Sequence, residues 1–323
     1  MIALRLIVLL FLISPAGLFL FPSSESRAGM IPPESANTFF DLIHAENTFV
    51  ILGGDGKIFT SGDGIIWNRS KPPFVNTLYS ATYGNGNFVT VGADGTIFSS
   101  QDALDWQTES SWTEKTLYRI LYSQGLFVAV GADGVLLISE NGSDWVSRHS
   151  GTSSSLFGLT YADNRFTVVG ADGTIITSAN GVNWRSIYSG TSSSLQEIRY
   201  QNGVYIAVGA DGTILTSDDG YLWKQQDSGT EHSLFGLTYG NEKFIAVGTD
   251  GVIMASRDAR TWDSRLSGTL HELRGVAYSE GLFMAFGGGG SLLTSSDGVV
   301  WNELRISGYD RAEPDLITKG IKY

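Results

Sequence analysis

Seven of the eight tryptophans form a ladder. Trp67, Trp106, Trp145, Trp184, Trp223, Trp262 and Trp301 each lie 39 residues from the next, and Trp112 alone is out of register. Six residues before each rung is a serine: Ser61, Ser100, Ser139, Ser178, Ser217, Ser256 and Ser295. Four before it is Asp or Asn: Asp63, Asp102, Asn141, Asn180, Asp219, Asp258 and Asp297. Three before it is Gly, except at Ala103 and Ala259. A second marker, Gly-x-Asp-Gly, lies upstream. It runs from Gly53-Gly-Asp-Gly56 through Gly92-Ala-Asp-Gly95 to Gly248-Thr-Asp-Gly251, and erodes to Gly287-Gly-Gly-Gly290. A fixed period of this size restricts a chain to solenoids, propellers or arrays.

Each unit reads as four short strands. In the fifth, Leu195–Tyr200 alternates apolar and polar residues, Val204–Val208 follows Gln-Asn-Gly, Thr213–Thr216 follows Ala-Asp-Gly, and Leu222–Gln226 follows Asp-Asp-Gly. Alternation joined by Asn-Gly and Asp-Gly is the strongest local hairpin signal. Glycine makes up 40 of 323 residues, which suits a chain of many tight turns. No stretch of ten residues has a helical period. A single sheet of so many strands would not hold together, whereas radial repetition buries each sheet between neighbours. The sequence therefore predicts an all-β seven-bladed β-propeller of four-stranded antiparallel blades over residues 39–311. A β-solenoid is the alternative.

The ends differ from the repeat. Residues 1–28 combine a single early base, Arg5, with an apolar run from Leu6 to Phe21 broken by Ser14, Pro15 and Gly17, and they end Ser26-Arg27-Ala28. This pattern predicts a secretory signal cut after Ala28. The apolar run is short for a membrane span, but left uncleaved it would tether the chain to a membrane. Residues 29–38 form a linker or a closing strand, and residues 312–323 a C-terminal tail. The expected location is the periplasm or the extracellular space.

The Ser-x-Asp-Gly-x-x-Trp element resembles the Asp-box, or bacterial neuraminidase repeat, shortened by one residue between Ser and Trp. With the upstream Val-Gly-Ala-Asp-Gly-Thr-Ile, the unit is most similar to the repeat of the photosystem II assembly and stability factor family. That resemblance covers all seven units. It implies a β-propeller with an assembly or chaperone-like role on a membrane protein complex, and partner binding through an arginine-rich patch. The chain departs from that pattern, with few Arg on the matching strands and a net charge of −12. Asp-boxes also occur in sialidases and receptors, so a carbohydrate-active protein, either a sialidase-like hydrolase or a lectin, is the alternative function.

Composition excludes further classes. A net charge of −12 argues against nucleic acid as a partner. The absence of Cys excludes disulfides, thiolate catalysis and Cys-bound metal. His44, His149, His232 and His271 have no ligand spacing, so no metal or cofactor is expected. The repeated Ser, Asp or Asn, and Trp are expected to be structural, with the acid accepting hydrogen bonds from turn amides.

Because every unit has the same length, no loop insertion builds a pocket. This argues for a monomeric, non-enzymatic scaffold that binds another protein, with a glycan as a possible ligand. Function must then reside in point departures from the repeat. Trp112 lies in the connection Gln107–Thr116 that replaces a recurrent Ser-Gly-Thr-Ser-Ser-Ser, and Lys71-Pro-Pro-Phe74 departs similarly one unit earlier. The innermost strands add Asp41, Arg119, Glu197, Arg199 and Arg274, with Tyr79, Tyr118, Phe157 and Phe235. The candidate binding residues are Trp112, Tyr118, Arg119, Glu197, Arg199, Phe235 and Arg274, with Trp112, Tyr118 and Arg119 as the leading contact cluster.

Overall fold

A computed structural model describes residues 39–303, apart from 63–67, 71, 280 and 289–290; of Phe39, Leu42, Ser279 and Leu292 it describes the backbone alone. The leader at 1–28, the stretch 29–38, Asp63 and Trp67 of the first unit, and everything from 304 onward, including the tail at 312–323, lie outside the described residues.

Among the described residues, 28 strands form seven four-stranded antiparallel sheets, each in simple sequence order. The fold is the seven-bladed β-propeller that the ladder predicts. Blade 5 is representative, with strands Leu195–Gln201, Val204–Gly209, Ile214–Ser217 and Lys224–Gln226 running from the axis outward. Its partner pairs place Ile198 opposite Ala207 and Leu215 opposite Gln225. The innermost strand of each blade carries a register shift near its start, such as that between Leu195 and Glu197.

Blades 2 to 6 bury both faces against their neighbours. The core is a series of clusters between consecutive blades. Ile43, Val50 and Leu52 of blade 1 pack with Phe88, Phe98 and Trp106 of blade 2. Val89, Val91 and Ile97 of blade 2 pack with Ile120, Phe127 and Trp145 of blade 3. The same arrangement places Trp262 between blades 5 and 6, and Trp301 between blades 6 and 7. Each of these tryptophans therefore seals the interface with the preceding blade.

The spacing of the repeated element follows from its hydrogen bonds. In blade 2, the Ser100 hydroxyl donates to Oδ1 of Asp102, and the same oxygen accepts from the amides of Leu104 and Asp105, both at 2.9 Å. The Trp106 indole N–H then donates to the Ala103 carbonyl at 3.0 Å. Asn141 plays the acid's part in blade 3, accepting from Ser143 and Asp144 while Trp145 donates to Gly142. Any amide or carboxylate oxygen serves, which explains the Asp/Asn alternation. Trp301 is the exception, since its indole nitrogen is buried without a partner.

The second marker is a tight turn between the two middle strands. In blade 5, Asp211 and Gly212 both adopt left-handed backbone angles, φ 53° and 65°. A Cβ on Gly212 would lie 1.8 Å from the Thr230 carbonyl oxygen, because the next connection passes directly over the turn. Glycine is needed there for space as well as for conformation.

The turn amides, helped by the serine hydroxyl, hold the carboxyls of Asp102, Asp219, Asp258 and Asp297 below the usual aspartate range. A depressed folded-state pKa contributes stability that is present above the ordinary carboxylate range and lost as pH falls through the folded value. Changing these four residues together to Asn should lower the melting temperature at neutral pH. The gap to wild type should shrink progressively below about pH 4, and parallel melting curves at all pH values would contradict this account.

Candidate functional site

The two ends of the propeller differ in construction. One end carries the Asn-Gly-type turns and the Ser-Asp-Trp turns. The other carries the Gly-x-Asp-Gly turns and the blade-to-blade connections, and here the departures from the repeat cluster.

The recurrent connection has a defined shape. In Ser150-Gly151-Thr152, the Ser150 hydroxyl donates to the Thr152 carbonyl at 3.1 Å, and Thr152 Oγ1 accepts from the amide of Ser154 at 3.0 Å. Gly151, Gly190, Gly229 and Gly268 occupy the middle position with φ between 70° and 82°. Ser111-Trp112-Thr113 makes the same bonds: Ser111 donates to the Thr113 carbonyl, and Thr113 Oγ1 accepts from the amide of Lys115, each at 3.1 Å. Trp112 is thus held where four sister blades use glycine, at φ 57°. Its side chain is 84% exposed. For a bulky residue this backbone conformation costs roughly 1–2 kcal/mol.

Beside Trp112 is an open groove of about 570 Å³, bordered by Phe74, Asn76, Asp94, Glu109 and Glu114. Phe74 packs edge-on against the buried Phe98 ring at 5.0 Å while leaving 43% of itself exposed. Asn76 is fixed by donating to the Ala93 carbonyl and to Thr96 Oγ1, at 3.1 and 2.8 Å. Val75 is also exposed. The groove therefore combines two aromatic surfaces with three carboxylates. Lys115, in the same connection as Trp112, is paired with Asp133.

The other candidates lie on the axis. Arg119, from blade 3, is 1% exposed, and its Nη2 donates to both carboxylate oxygens of Glu197 of blade 5, at 2.8 and 2.7 Å. The matching position in blade 4 is Gly158, which has no side chain to obstruct the crossing. Nε of Arg199 lies 3.7 Å from Glu197. Burial, with Arg119 adding to it, pushes the Arg199 guanidinium down to about 10, against the opposing pull of Glu197 and Asp41. Asp41 accepts from the Ser80 hydroxyl at 3.1 Å and from the Ala81 amide at 2.8 Å. Arg274 pairs with Glu272 at 2.9 Å.

An aromatic arc runs beside these charges. Phe40, Tyr79, Tyr118 and Phe157 stand ring to ring across four blades, with centroids 5.3, 5.9 and 5.5 Å apart. Burial, then Tyr118 and Asp94, pushes the Tyr79 hydroxyl up to about 12. Burial and Asp133 also raise that of Tyr118.

The structure thus separates the leading cluster into different environments. Trp112 is on the surface groove, Tyr118 is half-buried in the arc, and Arg119 is inside the axis. Phe235 and Arg274 are half-buried on inner strands. Arg119, Glu197 and Arg199 come together, as a buried charge group rather than a surface. The carboxylates of the groove, Asp94 and Glu109, are not singled out in the sequence, because Asp94 belongs to the repeat and Glu109 sits in an ordinary outer strand. The recurrent Ser-Gly-Thr, the one motif repeated as a lectin would require, is accounted for by the connection's own hydrogen bonds.

No family model matches the sequence, and no curated protein matches it. Solved structures do. YCF48 from Cyanidioschyzon merolae matches with a TM-score of 0.65 at 15% identity, over 81% of this chain and 96% of its own. YCF48 bound to D1 peptide matches with a TM-score of 0.66 at 15% identity, over 87% and 98%. The computationally designed Ika8 protein matches with a TM-score of 0.62 at 16% identity, over 81% and 82%. At these identities the likeness is one of fold.

Three stability outcomes follow from these environments. Trp112→Gly should leave stability unchanged or raise it by up to about 1 kcal/mol, whereas Trp145→Ala should cost about 3–5 kcal/mol in urea denaturation. Glu197→Gln, which removes the carboxylate charge facing the buried guanidinium of Arg119, should cost about 3–5 kcal/mol. A loss below about 1 kcal/mol would show that the axial pair is dispensable.

Proposed function

We propose that this chain is an exported, non-enzymatic scaffold that acts as a monomer and holds an extended segment of another protein, or of a membrane protein complex, in the groove beside Trp112. The observation that carries this reading is Trp112 itself, a large aromatic side chain kept in solvent on a backbone conformation that disfavours it. Strain of this kind persists where a surface contact is selected, and exposed tryptophans are frequent anchors of binding energy. The groove chemistry fits a segment with an apolar anchor flanked by Lys or Arg, set against Phe74 and Trp112 with Asp94, Glu109 and Glu114 alongside. A structurally similar propeller is known with a peptide bound, which supports a peptide-holding role for this fold.

The axial carboxylates argue against hydrolysis. Glu197 is tied to Arg119, and Asp41 to Ser80 and Ala81. Neither is disposed toward solvent as an acid or a nucleophile would need to be. The leader at 1–28 favours a site of action in the periplasm or outside the cell, at a membrane surface if it is retained. We read the Ser-Asp-Trp turns as shortened Asp-boxes, a reading that their side-chain-to-amide hydrogen bonds support.

A fluorescence-anisotropy screen of extended peptides carrying one aromatic or aliphatic residue between Lys or Arg residues tests this reading. Binding should weaken at least about ten-fold in Trp112→Ala. Equal affinity for the variant, or no preference for basic over acidic peptides, would reject the groove.

A further inference from the structure

On the opposite end of the propeller, between blades 4 and 5, is a second cleft of about 490 Å³. Arg165 and Arg185 both approach the ring of Tyr221, with their guanidinium carbons 4.2 and 4.8 Å from its centre. Tyr221 stands in a turn position that other blades fill with Leu104, Ser143, Val182, Arg260 or Val299, so this arrangement belongs to one blade pair.

The two arginines have different duties. Arg165 staples the blades by donating to the Asp219 carbonyl, and it lies 3.8 Å from Asp163. Arg185 is exposed and has no carboxylate partner among the described residues. A guanidinium held over an aromatic ring, beside a second one, in a chain of net charge −12, is a local positive site with unused donors. Asn164 and Asn183 border the same cleft, and their side-chain amides make no hydrogen bond among the described residues. Trp184 supplies a half-buried aromatic wall.

We infer that this cleft binds a carboxylated sugar, a uronic acid unit of a polysaccharide. The carboxylate would pair with Arg185, which Tyr221 holds in place, the hydroxyls would bond the amides of Asn164 and Asn183, and the C–H face of the sugar would lie against Trp184. An acidic peptide fits less well. Apart from the methyl groups of Ala179 and Thr177, the lining has no aliphatic side chain, and its two side-chain amides match the several hydroxyls of a sugar ring better than an acidic peptide's side chains. The site is independent of the Trp112 groove and faces the other way.

Isothermal titration of the purified protein with a galacturonate trisaccharide, its neutral galactose counterpart and an aspartate-rich tetrapeptide tests the assignment. The galacturonate should bind, and Arg185→Gln should weaken it about ten-fold or more while the folded spectrum is unchanged. Trp112→Ala should leave this binding intact, which separates the site from the peptide groove. Absence of galacturonate binding, equal affinity for the neutral sugar, an unaffected Arg185→Gln variant, or a tetrapeptide bound as tightly would each overturn the proposal.

Discussion

The whole ring rests on a short geometric constraint. In blades 2 to 6 an indole N–H reaches a backbone carbonyl three residues earlier while its ring packs between two sheets. In blade 3 the Trp145 N–H closes the turn onto Gly142, and the ring sits in the cluster shared with blade 2. The same residue therefore ends one hairpin and joins it to the preceding blade. A shift of one residue would break the bond and withdraw the ring together. The equal intervals along the chain are a consequence of this double duty, and they leave little freedom for loops to lengthen.

A second layer of order has a period of two blades. At the 2/3, 4/5 and 6/7 interfaces a long polar side chain crosses to a carbonyl of the next blade. Asn87 donates to Asn141, Arg165 to Asp219, and Lys243 to Asp297. The matching positions in blades 3 and 5 are Leu126 and Val204, which pack instead. Beneath two of the polar staples the backbone also closes up. A Cβ on Gly84 or Gly240 would fall about 2 Å from the ring of Tyr122 or Tyr278. At this one position of the second strand, hydrogen-bonding and apolar side chains thus alternate from blade to blade, above the apolar clusters that line all six interfaces from 1/2 to 6/7. The cleft beside Tyr221 lies at one of the hydrogen-bonded joints, where Arg165 already brings positive charge to the surface.

Most of the architecture was legible in the sequence because it is local. Strand, turn and tryptophan positions repeat, and each turn's hydrogen bonds join residues within a few positions of one another. The site was legible only in part. Trp112 stood out because it broke a pattern, and Phe74 for the same reason. The grouping of Trp112 with Arg119 was not readable, because whether an inner-strand residue points into the axis or toward a surface depends on two other blades. Arg119 meets Glu197 across an intervening glycine, 78 residues away. That pairing depends on how the ring curves, and ring curvature has no signature within one repeat. Arg185 and Tyr221, from adjacent blades, were invisible for the same reason.

A broken repeat position is informative only when its energetic cost is traced. Ala103 and Ala259 also replace glycine at positive φ, both at 62°. Each is fully buried, and each methyl group joins a core cluster beside Trp106 or Trp262. Their backbone strain is offset by packing inside the molecule, so no external partner need be invoked. Trp112 bears comparable strain, yet 84% of its surface faces solvent. Its connection makes the same serine and threonine bonds as the glycine-bearing connections, so the tryptophan adds nothing the loop requires to hold its shape. Within the folded chain the substitution is a net loss. The partner segment proposed for the groove at Phe74 would supply the compensation that the folded chain does not.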